Sequence, residues 1–160
     1  EYNSIRANDI CYAIDWGWND PQVLIECKIY DGVPYYKELF YKSETRPSDL
    51  IEFMRKKRIA YNTPIYCDPS QPSSIDDFQL NHFPAMKANN DILDGIKNVK
   101  KFGLNITESS TNLLRERKLY KYHQDNKTGK FLDKPVDMNN HALDCVRYIA
   151  NTHETLRYRA

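Results

Sequence analysis

The sequence lacks the features that mark several large classes of protein. No apolar run approaches the roughly 20 residues that a membrane-spanning helix needs, and no secretory signal opens the chain. The four cysteines are far apart, and no His/Cys cluster has the spacing of a structural zinc site. These absences predict a chain that is not secreted, has no membrane partner and keeps its cysteines reduced and buried.

Internal repeats, low-complexity tracts and domain linkers are also missing. With 160 residues, we expect a single domain over residues 1–160. Residues 1–8 are polar and the chain opens on Glu rather than Met, so we expect them to be a tail or a linker from a missing domain. The first half of the chain is net acidic and the second half net basic. That asymmetry is compatible with phosphate binding, and equally with an ordinary solvated basic face.

Turn residues divide the chain into short elements. Asn19-Asp20-Pro21 and Asp31-Gly32 separate three predicted strands, which favours an antiparallel meander over residues 10–18, 23–30 and 35–41. Further strands are predicted at 64–68, 83–87 and 104–107, helices at 50–58, 73–81, 92–102, 110–119 and 141–152, and a hairpin at 120–132. The fold class is therefore α/β: a mixed sheet, antiparallel in strands 1–3 and then parallel, with helices on both faces.

Three acids occupy unusual places in this pattern. Asp15 ends the first strand, Asp68 ends the short apolar run before Pro69, and Asp144 lies in the final helix. A carboxylate at the end of a core strand is costly unless cations or donors compensate it. Each acid also has an ordinary explanation, because Asp15 and Asp68 can accept turn N–H groups and Asp144 can be a solvated helix residue.

The order of the acids along the chain favours a shared site. The first strand of such a sheet tends to be central, and the first strand after a crossover lies parallel beside it, so Asp15 and Asp68 should be neighbours. Oxygen ligands without thiolates suit Mg²⁺ or Mn²⁺. We expect two divalent ions, one bridging Asp15 and Asp68 and one bridging Asp15 and Asp144, to hydrolyse a phosphodiester. His141 shares a helix face with Asp144 and either serves this site or is a surface histidine.

Four segments in order give the chain a specific resemblance. It resembles the C-terminal nuclease domain of the large terminase subunit of tailed bacteriophages, which has an RNase H-like fold. The segments that carry the resemblance are Tyr12-Ala-Ile-Asp15-Trp-Gly-Trp18 with Asp20-Pro21; Ile65-Tyr-Cys-Asp68-Pro-Ser-Gln-Pro-Ser-Ser-Ile75; Lys87 with Ile92-Leu-Asp-Gly-Ile96; and Asp137-Met-Asn-Asn-His141-Ala-Leu-Asp144-Cys-Val-Arg-Tyr148. One departure is Cys145, which stands where the family usually has a small Ala.

The resemblance implies a function. It implies that Asp15, Asp68 and Asp144 bind two metal ions, that His141 assists near the second ion, and that the domain cuts double-stranded viral DNA during genome packaging with little sequence preference. The implied partners are an ATPase domain of the same full-length protein, the small terminase subunit and the portal, in the cytoplasm of an infected bacterium. No Gly-x-x-x-x-Gly-Lys-Ser/Thr loop is present, so this chain should cut DNA without translocating it.

Several residues near these motifs keep two interpretations. Asp137 either contacts a metal through water or orients the Asn139-Asn140 cap of the final helix. Lys87, Lys127 and Lys130 are candidate phosphate contacts or simply solvated lysines. The alternatives for the whole domain are another RNase H-like nuclease, such as a resolvase or transposase core, and a non-catalytic DNA-binding or assembly module. The presence of all three acids ranks the non-catalytic alternative last.

Overall fold

The computed structural model describes residues 1–7, 9–121 and 140–157. The described strands are β1 (Asp9–Asp15), β2 (Gln22–Tyr30), β3 (Val33–Lys42), β4 (Ile65–Cys67), β5 (Ala85–Lys87) and β6 (Asn105–Ile106). The helices of the same residues are α1 (Pro47–Lys56), α2 (Pro72–Leu80), α3 (Ile92–Phe102), α4 (Thr111–Lys121), α5 (His141–Thr152) and α6 (Glu154–Arg157). The strands form one mixed sheet in the order β5-β4-β1-β2-β3-β6.

The predicted antiparallel meander is confirmed. β2 pairs antiparallel with both β1 and β3. Asp31 and Gly32 connect β2 to β3 with φ angles of 51° and 75°, and two positive φ angles suit the right-handed twist of a hairpin with a two-residue loop. The first strand ends at Asp15 rather than at Trp18, because the chain folds back tightly. A Cβ on Gly17 would lie only 2.5 Å from the carbonyl oxygen of Asp20.

The parallel part of the sheet lies beside β1, as predicted. β4 runs parallel to β1, and β5 runs parallel to β4, so β1 occupies the interior of the sheet. One pairing differs from the simplest form of the prediction. β6 returns to the far side and pairs in parallel with β3, so the meander is covered at its outer edge as well. The mixed α/β sheet is confirmed.

Helices cover both faces of the sheet, and each face has its own core. Cys11 and Ala13 of β1 pack into one core with residues of α4 and α5. Tyr12 and Ile14 pack into the other core with residues of α1 and α2. This division follows from the strand geometry, since successive side chains point to opposite faces. The alternation also decides where the acid at the end of β1 points.

The start of α5 is stabilised differently from the prediction. Asn140 is the N-cap residue, but its side chain makes no capping hydrogen bond, and Asn139 lies outside the described residues. The buried carboxylate of Glu116, from α4, accepts the backbone N–H groups of Ala142 at 2.9 Å and Leu143 at 3.1 Å. A carboxylate at a helix N-terminus satisfies unpaired donors and favours the helix dipole, so an acid from another helix replaces the local cap.

The beginning of the chain contacts the sheet. Tyr2–Ser4 form a single 3-10 turn, and the Tyr2 hydroxyl donates to Glu26 Oε1 at 2.8 Å. The Lys28 ammonium lies 4.5 Å from the centroid of the Tyr2 ring. Residues 1–7 therefore begin against β2, whereas the sequence suggested only a polar tail.

Three smaller predictions can also be compared with the structure. All four cysteines are buried and unpaired, as expected. The predicted hairpin over residues 120–132 is wrong at its start, because Tyr120 and Lys121 are the last residues of α4; its remainder lies outside the described residues. None of the described helices is long and apolar enough to cross a membrane.

Candidate metal centre

Asp15 ends β1 on the face that α5 covers. It follows Cys11 and Ala13 by even steps, so its side chain points to the same face as theirs. β2 and β4 flank β1 on either side, and Asp15 is only 5% exposed. A carboxylate in this position loses most of its water and depends on the groups that face it.

Asp68 lies next to Asp15 at the same edge of the sheet. Its backbone N–H donates to the Ile14 carbonyl at 2.9 Å, and the Trp16 indole N–H donates to the Asp68 carbonyl at 2.9 Å. These two bonds join the carboxyl ends of β1 and β4. The Asp68 carboxylate accepts from Ser70, at 2.9 Å from the backbone N–H and 2.8 Å from the hydroxyl. Asp68 therefore makes the turn contacts of the ordinary interpretation while it sits beside Asp15.

The first turn of α5 brings two more predicted residues to this edge. His141 Nδ1 lies 2.9 Å from Asp15 Oδ2, and Asp144 follows three residues later on the same face. Asp144 is not a fully solvated acid, because α5 is buried around most of its circumference. The sheet covers one side of α5 and α3 covers another, and the Asp144 side chain is 34% exposed.

All four of these side chains line one cavity of about 900 Å³. The walls beyond the acids come from α3, α4 and the loop after α3. Their side chains are largely apolar, with two cations among them, and include Ile92, Ile96, Val99, Lys100, Leu104, Arg117 and Tyr120. The sheet edge and α5 thus bring Asp15, Asp68, Asp144 and His141 to one cavity.

Burial and the mutual repulsion of the acids set the electrostatics of the cavity. The pKa of Asp15 rises to about 7, chiefly because the carboxylate is buried; the bond from His141 opposes the rise, and the charges of Asp144 and Asp68 add to it. Burial also raises the pKa of Asp144, against the attraction of Arg147. The bond to Asp15 raises the pKa of His141. A cation bound here would relieve the mutual repulsion of the three carboxylates.

The donor set fits a divalent cation in chemistry, although the side chains are not arranged around one. Within residues 1–7, 9–121 and 140–157, no three His, Cys, Asp or Glu side chains form a group that could hold a metal ion as they stand. Each acid is engaged by a protein donor: Asp15 by His141, Asp68 by Ser70 and Asp144 by Arg147. Binding a cation therefore requires some of these carboxylates to move closer together.

Other residues at the site were not singled out from the sequence. The Tyr148 hydroxyl donates to Asp15 Oδ1 at 3.5 Å, and Asp20 Oδ1 lies 3.6 Å from His141 Nε2. Arg147 donates to Asp144 Oδ1 at 2.9 Å. Arg147 could have been found from its spacing, because residues three apart on a helix are neighbours. The contacts of Tyr148 with Asp15 and of Asp20 with His141 join separate elements, so they arise only when the chain is folded.

The candidate DNA contacts do not join the acids in the described part of the chain. Lys87 is exposed at the end of β5, where its backbone is in register with Cys67. Ala85, two residues earlier, packs into the core formed with α1 and α2, so the Lys87 side chain starts on the face opposite the acids. Lys127, Lys130 and Asp137 lie outside the described residues.

Comparison with known proteins places this fold among phage nuclease domains. No protein-family model and no curated protein matches the sequence. Solved structures do match. The large terminase nuclease domain from the bacteriophage SPP1, solved with bound Mn, has a TM-score of 0.77 and 20% identity, over 91% of this chain and 87% of that chain.

Two further solved structures agree with this match. The large terminase from a thermophilic bacteriophage has a TM-score of 0.75 and 28% identity, over 91% of this chain and 40% of that chain. The P22 large terminase nuclease domain has a TM-score of 0.64 and 19% identity, over 88% of this chain and 79% of that chain. The structural neighbours are thus large terminase nuclease domains, and the resemblance read from the sequence is confirmed in fold. The chain spans 40% of the length of the thermophilic phage protein.

Proposed function

We propose that this domain is a metal-dependent endonuclease that cuts double-stranded viral DNA during genome packaging. The similarity to large terminase nuclease domains supports a nuclease role in packaging. The observation that carries the proposal is the meeting of Asp15, Asp68 and Asp144, from three separate segments, on one cavity wall. Turn capping explains Asp15 or Asp68 singly, but it gives no reason for three carboxylates to share a partly apolar cavity.

Each residue has a distinct role in the proposed site. Asp15, Asp68 and Asp144 would hold two divalent ions, and Asp15, on the central strand, would contribute to both. His141 orients Asp15 through its Nδ1 bond and is placed to hold or pass a proton on the cavity side. Two divalent ions, Mg²⁺ or Mn²⁺, would supply an activated water and stabilisation of the leaving oxygen. The Mn in the SPP1 neighbour supports the choice of a divalent metal.

Phosphate contacts should dominate the recognition of DNA. A site that must cut without regard to sequence gains its affinity from the backbone rather than from base edges. Binding should therefore weaken as salt rises, because each neutralised phosphate releases counterions. The candidate contacts outside the acids remain Lys87, Lys127 and Lys130, with Asp137 as an auxiliary acid. Lys87 starts on the face of the sheet opposite the acids, so it could contact DNA bound at the acids only if the DNA extended around the edge strand β5.

Plasmid nicking tests the proposal directly. The wild type should nick supercoiled plasmid with Mn²⁺ or Mg²⁺, and EDTA should stop it. Asp68→Ala should lower the nicking rate by more than about a hundredfold. That loss exceeds the effect of substituting a residue that only orients a metal ligand. Asp76→Ala, the same substitution at an exposed position on α2, is the matched control and should cut normally. Equal nicking by Asp68→Ala removes Asp68 from the mechanism, and cutting in EDTA removes the metal mechanism itself.

The proposed role also defines partners. In packaging, the domain would act beside an ATPase domain of the same full-length protein, with the small terminase subunit and the portal, in the cytoplasm of an infected bacterium. The large terminase of the thermophilic phage, which is longer and was also solved with ATP-γ-S, supports an ATPase partner. A four-way junction in the nicking assay distinguishes a resolvase, which would prefer the junction over linear duplex.

A further inference from the structure

Arg147 is a buried cation that contacts both Asp144 and the loop before α3. It is 7% exposed, and its Nη2 donates to Asp144 Oδ1 at 2.9 Å. Its Nη1 donates to the Asn90 carbonyl at 3.2 Å and to Asn90 Oδ1 at 3.1 Å. The guanidinium carbon also lies 5.2 Å from the centroid of the Tyr148 ring. One guanidinium therefore joins Asp144 to the loop before α3 while resting on the ring that faces Asp15.

Gly95 makes this position of Arg147 possible. Gly95 is buried in α3 and faces α5. A Cβ at this position would overlap Cγ and Cδ of Arg147, whereas its next contact, Asn151 Nδ2, would be at 3.3 Å. Glycine inside a helix costs roughly 0.5–1 kcal/mol of stability relative to alanine. Here the absence of a Cβ leaves the space that the Arg147 side chain occupies. Gly95 thus acts on Asp144 only through Arg147.

We propose that Arg147, seated by Gly95, is a positioning residue that fixes Asp144 for divalent-cation binding. The inference rests on the proposed function of the acids and deepens it. Arg147 holds Oδ1, and no hydrogen bond to Oδ2 comes from the described part of the chain. Because Arg147 is also tied to Asn90, it can stay in place when a cation arrives. Asp144 then presents Oδ2 to the cation in a fixed orientation, as outer partners do at other metal sites.

The alternative is that Arg147 only neutralises Asp144 in the folded protein. An arginine acting purely as a positive charge would compete with a metal ion, and its removal would tighten metal binding. The Arg147→Lys variant distinguishes an orienting role from a purely electrostatic one. Lysine keeps the positive charge but has no planar guanidinium that could bond Asp144 and Asn90 at the same time. Gly95→Ala also keeps the charge and displaces the side chain that carries it.

Calorimetric titration of the metal-free domain with Mn²⁺, without DNA, measures the effect apart from cleavage. We expect Arg147→Lys and Gly95→Ala each to weaken Mn²⁺ binding by about 10–100-fold, the range found for outer partners of metal ligands. In an Arg147→Ala background, Gly95→Ala should cause no further loss of Mn²⁺ affinity, because the Cγ and Cδ atoms that the new Cβ would overlap are absent. Arg55→Ala, on α1 across the sheet, is the matched control for loss of an arginine and should bind Mn²⁺ normally.

The outcomes separate this inference from the proposed function. Unfolding temperatures measured on the same samples show what each variant does to the fold. If the wild type binds Mn²⁺ and both charge-preserving variants bind equally well or more tightly, Arg147 does not position Asp144, whatever their stability. If Gly95→Ala weakens binding equally in both backgrounds, the route through Arg147 is wrong. If the wild type fails to bind Mn²⁺, both the proposed function and this inference fall.

Discussion

Replacing Asp15 by asparagine should stabilise the metal-free protein above neutral pH. The ordinary pKa of an aspartate, 3.8, rises in the fold to about 7 at Asp15, chiefly through burial. Between about pH 4 and pH 7 the native state keeps a proton that the unfolded state has lost, so the free energy of unfolding falls as pH rises through this window. The whole shift corresponds to a destabilisation of about 4 kcal/mol above pH 7.

The variant will not recover all of that free energy. The introduced asparagine would still be a buried polar group, and it gives up the attraction between the carboxylate and a protonated His141. We therefore expect a gain of about 2 kcal/mol at pH 8, or about 4–8 °C in unfolding temperature for a domain of this size. At pH 4 the two proteins should differ much less, because both carry a neutral side chain at this position.

Thermal or urea unfolding in EDTA at several pH values measures this gain. Asp76→Asn, at an exposed site on α2, is the matched control and should follow the wild type throughout. Added Mn²⁺ should make the wild type the more stable protein at pH 8, because metal binding stabilises the native state by mass action. The variant lacks a central ligand, so it should gain much less. If Asp15→Asn is no more stable than the wild type at pH 8 without metal, the carboxylate is better compensated in the fold than its burial implies.

Three other substitutions test the parts of the fold that support the site. Gly17→Ala should destabilise the domain by about 1–3 kcal/mol in urea unfolding, because its Cβ would meet the Asp20 carbonyl at 2.5 Å; an unchanged midpoint would contradict this. Glu116→Ala should cost about 1–2 kcal/mol and fray the start of α5, which hydrogen exchange of the capped amides measures against wild type. His153→Ala should cost about 1–3 kcal/mol, because His153 bonds both Tyr66 and Asp9 at 2.7 Å. Its Mn²⁺ affinity should remain unchanged, and a weakened affinity would show that the two ends of α5 are coupled.

Local sequence patterns were enough to predict the order of the elements and the strand ends that carry acids. Alternating apolar residues and turn pairs such as Asp31-Gly32 are local properties, so the meander and most helix positions followed from them. The bounds of α5 were predicted at residues 141–152, as the structure has them. The strand order was partly predictable too, because a right-handed crossover leaves few places for β4 except beside β1. That constraint predicts that Asp15 and Asp68 are neighbours.

The surroundings of those acids depend on long-range contacts, which local patterns do not predict. Contacts between segments far apart in sequence determine whether α5 is capped by its own Asn140 or by Glu116 from α4. Packing between elements likewise determines which donor faces Asp144. Burial, which raises the pKa of Asp15, likewise comes from the packing of α5 on the sheet and not from the residues beside Asp15 in the chain. Local patterns carry no information on such contacts, because the same Asp can end an exposed strand or a buried one.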